Sequence, residues 1–488
     1  MTRVVLAFLC CAGVGYAQGG RPEGGKPQVE LRQFAHSGVC PKTCKPCQSA
    51  MAKALEYLAK QTQADGLEAG NGGGTVVTAI AGLAFMANGS TPTGGPYAKQ
   101  VEACAQAILR KVGNKSKGKT ASGMEFEGFG NWDLGYAAIF LAEYYAQKPS
   151  PAVAEKIKFV IEKICEQREP NGGWGHAPNF AYKDLMVVTT ACLTGLGMLK
   201  QLKFPVPDDV IARGVKYIED SSSGGTVGYS PREGQKGWGH AGRASGAAYA
   251  MTKCGVQSGF YNMVVKFVKG GLKTIPQDHA SPTLHYLWGG LFSYLLGPES
   301  WAEYKKLYLD YWLSAQKEDG SFKCPTEADV KAMLGMDPDE MVGPNYMTSV
   351  YALVFALPLD KTNLGRAKPK ETKTATGGGG LGLGGRKEPT NGWLGARVSP
   401  FSDSLVVKSL VKESPAAKAG LVEGDAILEV NRKPAKDAKS VREALNAIKP
   451  GTKVSLLVLH AGEKKVIEVV LGEKPKTEGE ASAEGEEI

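Results

Sequence analysis

Beyond residue 17 the sequence has no uninterrupted apolar run long enough to span a bilayer, which excludes a helical membrane anchor there. It also lacks the aromatic-and-basic stripe that would grip a nucleic acid, although the formal net charge is +9. Much of the positive charge sits instead in Lys361, Arg366, Lys368, Lys370, Lys373, Arg386 and Lys387. Charged residues make up only 22% and hydrophobic residues 43%, which excludes a wholly disordered chain and fits a folded one. At 488 residues the chain exceeds a single compact core, so two or three domains are expected.

The first 17 residues read as a signal peptide. Arg3 supplies the positive start, Val4 to Val14 the apolar stretch, and Gly15-Tyr16-Ala17 the small residues before cleavage. The mature chain is therefore expected to be exported, periplasmic or secreted. A Cys-containing segment follows at 18–44. Ten cysteines are present; Cys40, Cys44 and Cys47 cluster around the first helix start. Export permits disulfides among them, and a thiol at a helix start has a lowered pKa. No strand–helix redox pattern surrounds Cys44-Lys45-Pro46-Cys47. A zinc site would need a fourth ligand that the local sequence does not offer, so neither metal nor cofactor is expected.

From residue 45 to 360 one theme recurs at a period near fifty residues, about six times. A helix with one apolar face comes first, as at Val153, Ile157, Val160, Ile161 and Ile164. A glycine- and aromatic-rich loop follows, then a helix apolar nearly all round, as at Thr75–Met86, Asn131–Tyr145, Val187–Leu199, Thr283–Leu296 and Tyr346–Leu359. A helix without a polar face has to be enclosed by other helices. About six enclosed helices ringed by about six half-exposed ones make a closed α/α barrel; an open solenoid would leave the inner helices a wet face, which they lack. The loops read Gln167 then Asn171-Gly172-Gly173-Trp174-Gly175-His176, Gln235 then Gly237-Trp238-Gly239-His240, Gln316 then Asp319-Gly320-Ser321-Phe322, and Gln63 then Asp65-Gly66-Leu67. These loops between paired helices resemble those of the terpenoid cyclase and protein prenyltransferase toroids. The resemblance implies the fold, an α/α toroid of about six helix pairs. It does not carry the chemistry. The cyclases' Asp-x-Asp-Asp run has only Asp337-Pro338-Asp339-Glu340 as a counterpart, which reads as a solvated proline turn. The zinc-holding Asp, Cys and His of the prenyltransferases cannot be matched.

Within this region His176 and His240 each end a Gly-Trp-Gly-His run, and Asp133 and Asp184 stand near starts of inner helices. They are the candidate catalytic or substrate-gripping groups. The alternatives are loop closure for the histidines and helix capping for the aspartates. Trp174, Trp238 and Trp288 are expected in the core.

Residues 361–391 form a basic, glycine-rich linker, and 475–488 an acidic tail expected to be disordered. Between them, at 392–474, Ser414-Pro415-Ala416-Ala417-Lys418-Ala419-Gly420 reads as a capped short helix. Gly424-Asp425 turns into a strand at Ala426–Val430, Ser440–Ile448 is an amphipathic helix, and Lys453–His460 with Lys465–Leu471 form a hairpin. This segment resembles the PDZ domains of periplasmic high-temperature-requirement serine proteases. The resemblance implies a small α+β fold that adds a peptide to a sheet edge. The terminal carboxylate would sit at Gly392-Trp393-Leu394-Gly395, and Val441 and Leu445 would line the groove. The proteases' glycine-flanked nucleophilic serine is missing. The expectation is a protein-binding scaffold that takes the C-terminus or an exposed strand of an extracytoplasmic partner. The alternative is an enzyme acting on a glycan or isoprenoid-like substrate in the toroid cavity.

Overall fold

The computed structural model describes residues 31–37, 40–70, 74–114, 116–119, 125–178, 184–278, 281–323, 339, 342–368, 392–401, 404–431, 433–435, 441–442, 445, 448–460, 463–473 and 486–487. The signal peptide expected at 1–17 and the glycine-rich part of the linker lie outside them. The chain divides into two compact units, Met1–Thr372 and Lys373–Ile488. Among the described residues no helix is long and apolar enough to cross a membrane.

The first unit is mainly helical. Its α-helices follow one another as α1 (Lys45–Gln61), α2 (Gly74–Ala87), α3 (Ala98–Lys111), α4 (Asn131–Gln147), α5 (Pro151–Glu166) and α6 (Met186–Gln201), then α7 (Asp208–Asp220), α8 (Ala241–Lys253), α9 (Gly259–Gly271), α10 (Pro282–Leu295), α11 (Pro298–Ala315) and α12 (Pro344–Ala356). Odd-numbered helices bury one stripe; on α5 it is the expected Val153, Ile157, Val160, Ile161 and Ile164. Even-numbered helices are enclosed, and every residue of α6 from Met186 to Leu199 is buried. The even helices pack in sequence, α2 on α4, α4 on α6, α6 on α8, α8 on α10 and α10 on α12, and α12 returns to α2.

The repeated loops explain this succession. The Gln167 side chain accepts a hydrogen bond from the Phe129 backbone N–H (3.0 Å) and donates to the Phe129 carbonyl (3.1 Å), tying its loop to the preceding one. Gly172, at φ +96°, lies so close to α7 that a Cβ would stand 2.3 Å from the Arg213 carbonyl oxygen. In the last repeat the counterparts reach the first helix. Gln316 donates to the Ala50 carbonyl of α1 (2.8 Å). Gly320, at φ +92°, would bring a Cβ to 2.3 Å from the Lys53 carbonyl oxygen.

Three features depart from the sequence reading. A hairpin of β1 (Ser116–Lys119) and β2 (Glu125–Gly128) precedes α4, and β3 (Ser222–Ser223) pairs with β4 (Thr226–Val227) after α7. Asp339, expected in a solvated turn, is buried; it accepts from the Thr283 backbone N–H (3.2 Å) and hydroxyl (2.9 Å) and caps α10, whose first N–H groups need an acceptor. The stretch expected to open the linker at 361 still packs on the helices. Leu364 is 1% exposed, and Lys253 donates to the Asn363 (2.7 Å) and Arg366 (2.5 Å) carbonyls.

The second unit is a small β-sheet domain. It contains β5 (Gly392–Trp393), β6 (Ala396–Phe401), β7 (Ser404–Leu410), the short helix α13 (Pro415–Lys418), β8 (Ala426–Val430), β9 (Lys433–Pro434), β10 (Lys453–His460), β11 (Glu463–Val470), β12 (Gly472–Glu473) and β13 (Glu486–Glu487). The main sheet runs β11-β10-β8-β7-β6-β13, with β9 beside β8. Alternate residues of β10, Val454, Leu456 and Val458, point into the core, as period-two patterning requires. The acidic tail, expected to lack structure, thus supplies a strand: β13 pairs antiparallel with the edge of β6.

Candidate functional site

The short loop at the start of the second unit is built by its neighbours. Ser414 caps α13 by accepting from the Ala417 N–H (3.3 Å), with Pro415 at its first position. That places the Ala416 N–H on the Leu394 carbonyl (2.9 Å), while the Val411 N–H reaches the Gly395 carbonyl (2.9 Å). Gly395 has φ +77°, and a Cβ there would fall 2.3 Å from the Ser414 Cβ, so only glycine fits. Gly392 donates to the Ile448 carbonyl (3.1 Å), and β5 pairs with β12. The loop Gly392-Trp393-Leu394-Gly395 is therefore held on three sides, with Leu394 fully buried.

From this loop β6 runs outward. One edge of β6 pairs with β7; the other carries β13, with Glu487 opposite Arg397 and Glu486 opposite Val398. Val441 and Leu445 are helical, as expected, and are 4% and 1% exposed; they pack in the domain core with Leu394 and Val398. Asp425, almost fully buried, accepts from the Val422 N–H (3.0 Å) and pairs with His460 Nδ1 (2.6 Å), which fixes the turn into β8.

In the helical unit the four candidate groups bond to separate partners. His176 Nδ1 accepts from the Trp132 indole N–H (2.8 Å), and burial pushes its pKa down to about 4, so the ring is neutral. Its backbone carbonyl accepts from the Asn131 N–H at the start of α4 (2.9 Å). His240 precedes α8, and its backbone N–H goes to Asp278 (2.7 Å). Asp184 is buried, accepting from the Tyr217 hydroxyl (2.9 Å) and pairing with Arg232 (3.4 Å). Asp133, in the first turn of α4, is pushed up to about 7 by burial, against the opposing pull of Lys111 and the Thr75 hydroxyl. Asp278, which the sequence did not single out, is the carboxylate at the start of α8: it also accepts from the Arg243 backbone N–H (2.6 Å). Trp174 and Trp288 are buried as expected, whereas Trp238 is 49% exposed.

The side chains that do converge lie elsewhere. Among the described residues, the ligand atoms of His36, Cys40, Cys44 and Cys47 all lie within 4.8 Å of one another. His36 is a fourth group, which the sequence reading did not find beside the three cysteines. It stands four residues before Cys40, and the His-Cys-Cys-Cys spacing was the signal available for it. Burial raises the Cys44 pKa, but the backbone N–H groups of Cys47 and Ser37 and the His36 ring outweigh it and bring the thiol to about 6. Burial pushes Cys40 and Cys47 the other way, up.

Comparison with known proteins divides the chain along the same line as its structure. Residues 392–471 match the PDZ domain family model. Over 103 residues the chain is 30% identical to a probable periplasmic serine endoprotease, DegP-like, of Pseudomonas fulva, covering 19% of this chain and 22% of that protein. Over 98 residues it is 34% identical to the protein of the same description from Bartonella henselae, covering 18% and 20%. A serine endoprotease structure from Yersinia pestis is 29% identical, covers 17% of this chain and 30% of that one, and has a TM-score of 0.16. The chain thus spans about a fifth of the length of the curated relatives it matches, over the PDZ region. Residues 48–364, the greater part of the chain, match the family described as domain of unknown function DUF6288, and the chain belongs to that family.

Proposed function

We propose that this chain is an exported scaffold whose PDZ domain captures a strand or C-terminal peptide of a partner along the outer edge of β6. One observation carries the reading: that edge pairs antiparallel with an added strand, Glu486–Glu487 against Val398–Arg397, immediately beyond the Gly392–Gly395 loop. Strand addition of this kind draws affinity from backbone hydrogen bonds and specificity from alternate side chains. The partner's class follows from the same register. An acidic residue lies opposite Arg397, so an acidic strand is favoured over a basic one.

In this reading the helical unit is an α/α toroid that serves as a second recognition surface. The packing order of its even helices, which ends where it begins, supports closure, as do the contacts of Gln316 and Gly320 with α1. Buried aromatics from three enclosed helices pack on one another inside it: the Trp288 ring centroid lies 6.1 Å from Tyr136 and 5.8 Å from Tyr249. That filling favours recognition on the outside over chemistry within.

The test is peptide binding by the full chain and by a chain ending at residue 474, read by fluorescence anisotropy against a library of C-terminal and internal acidic peptides. A tethered competitor acts at an effective concentration near millimolar, so removing the tail should strengthen binding about tenfold or more. If neither form binds any peptide, or the tail's removal leaves affinity unchanged, the β6 edge is not the receiving surface.

A further inference from the structure

The segment ahead of the first helix and the first turn of that helix bring three sulfurs and one imidazole together. Cys40 is 7% exposed, and Cys44 and Cys47 are fully buried. His36 Nδ1 lies 3.4 Å from Cys44 Sγ, 3.7 Å from Cys47 Sγ and 3.8 Å from Cys40 Sγ. A tetrahedral zinc ion with Zn–S bonds of about 2.3 Å and a Zn–N bond of about 2.0 Å requires N-to-S edges of about 3.5 Å. The observed edges match that figure.

A second observation points to the same ligand. The other ring nitrogen of His36, Nε2, is 2.7 Å from Asp310 Oδ1 on α11. With a carboxylate on Nε2, the proton sits there and the Nδ1 lone pair faces the sulfurs. This is the carboxylate–histidine–metal relay that orients a ligating imidazole.

We propose that His36, Cys40, Cys44 and Cys47 bind a single zinc ion in a closed Cys3His tetrahedron that clasps the first and last repeats of the helical unit. Four protein ligands leave no open position, so the role is structural rather than hydrolytic. The clasp follows from what the ligands are attached to. Cys44 and Cys47 belong to the start of α1, and His36 is anchored to α11 through Asp310. The same segment reaches α11 again where the Arg32 N–H donates to Ser314 Oγ (2.9 Å). Helices α1 and α11 also touch directly, so the ion would bridge the seam between the two ends of the repeat array.

The competing fate of three close thiols in an oxidising compartment is a disulfide, which takes two electrons from two of them and leaves a third cysteine and the histidine behind. The experiment separates the two. The full chain is purified without chelator, its zinc content is measured by elemental mass spectrometry, and its thiols are counted by alkylation and peptide mapping. Cobalt(II) then replaces zinc, and Asp310→Asn and His36→Ala are compared by competition with a chromophoric chelator. The expected results are stoichiometric zinc, three metal-protected thiols and the intense visible bands of a tetrahedral cobalt thiolate. Asp310→Asn, which keeps every ligand and should fold, is expected to bind zinc about 10- to 100-fold more weakly. A disulfide joining any two of Cys40, Cys44 and Cys47 in the zinc-supplied chain, or cobalt bands of octahedral type, would overturn the proposal.

Discussion

Arg243 and Asp278 form an ion pair at 3.6 Å in which each side chain is 1% exposed. Asp278 does more than balance the charge: its two oxygens accept the backbone N–H groups of His240 and Arg243, which caps α8 from outside that helix. Burial disfavours the charged carboxylate, but the Arg243 guanidinium, His285 and these N–H groups outweigh it and hold the Asp278 pKa below its ordinary value. Removing one partner leaves a buried charge unanswered. Asp278→Ala should therefore destabilise the helical unit by about 3–5 kcal/mol in urea unfolding. The depressed pKa fixes the sign of the acid response. The contribution is fully present above the ordinary carboxyl value, about 3.9, and is lost as pH falls below that toward the folded value. Wild type and variant should converge only in strong acid.

His176 gives the opposite kind of group with a related pH response. Its pKa is pushed down to about 4 by burial, so the unfolded chain, with an ordinary histidine near 6.5, binds the proton more tightly. Its contribution is complete above about pH 6.5 and is lost as pH falls toward 4, amounting to about 2 kcal/mol by pH 5. His176→Gln keeps an acceptor for the Trp132 indole and removes the titration. Urea midpoints at pH 7 and pH 5 should therefore lie closer together in the variant than in the wild type.

Arg397 is the cleaner probe of the β6 edge. Opposite charges across neighbouring strands contribute about 0.2–1 kcal/mol, so Arg397→Glu should weaken an acidic peptide about two- to fivefold and leave Tm unchanged. A substitution at Gly395 is expected to lower Tm as well as binding, because its positive φ and the 2.3 Å approach to Ser414 are needed for the fold. Equal binding of acidic and basic peptides by both forms would remove Arg397 from recognition.

The seam between last and first repeats can be tested with two glycines of similar backbone. Gly320 at φ +92° abuts Lys53, whereas Gly224 at φ +57° has nothing within 4 Å of its would-be Cβ. Gly224→Ala should cost about 1 kcal/mol, the strain of the left-handed backbone alone. Gly320→Ala should cost clearly more, near the upper end of about 1–3 kcal/mol. Equal losses in thermal unfolding would mean that the last loop does not press on α1.

Much of the helical unit was legible because burial leaves a compositional trace. The runs around Val187–Leu199 and Thr283–Leu296 contain almost no charge, and their boundaries lie within about two residues of α6 and α10. The enclosed helix α8 was harder to read, since Arg243 and Lys253 interrupt its apolar run. Both are buried, each answered by a distant residue that no local pattern announces. Asp339 was misread for the same reason: a charged proline turn is wet in most settings, and its partner Thr283 is remote in sequence. The second unit was clearer, because capping at Ser414 and the glycines around Asp425 act locally. The strand formed by Glu486–Glu487 was not legible, since a tail rich in glutamate carries no strand pattern of its own. His36 was not legible as a fourth ligand, because it lies outside the cysteine run and is held in place by Asp310, which is remote in sequence.

The strap from Asp360 to Arg366 has a practical consequence for where this chain can be divided. Leu364 is buried in the core of the helical unit, the Tyr249 hydroxyl donates to its carbonyl (2.8 Å), and the Asn363 N–H is held by Glu143 (3.1 Å). Cutting after Asp360, where the helical pattern ends, would strip Lys253 of its two carbonyl acceptors, take the Asn363 donor from Glu143 and uncover the core residues packed against Leu364. A soluble helical fragment therefore has to keep its stopper, and a protease that trims back past Leu364 would turn a finished body into an adhesive one.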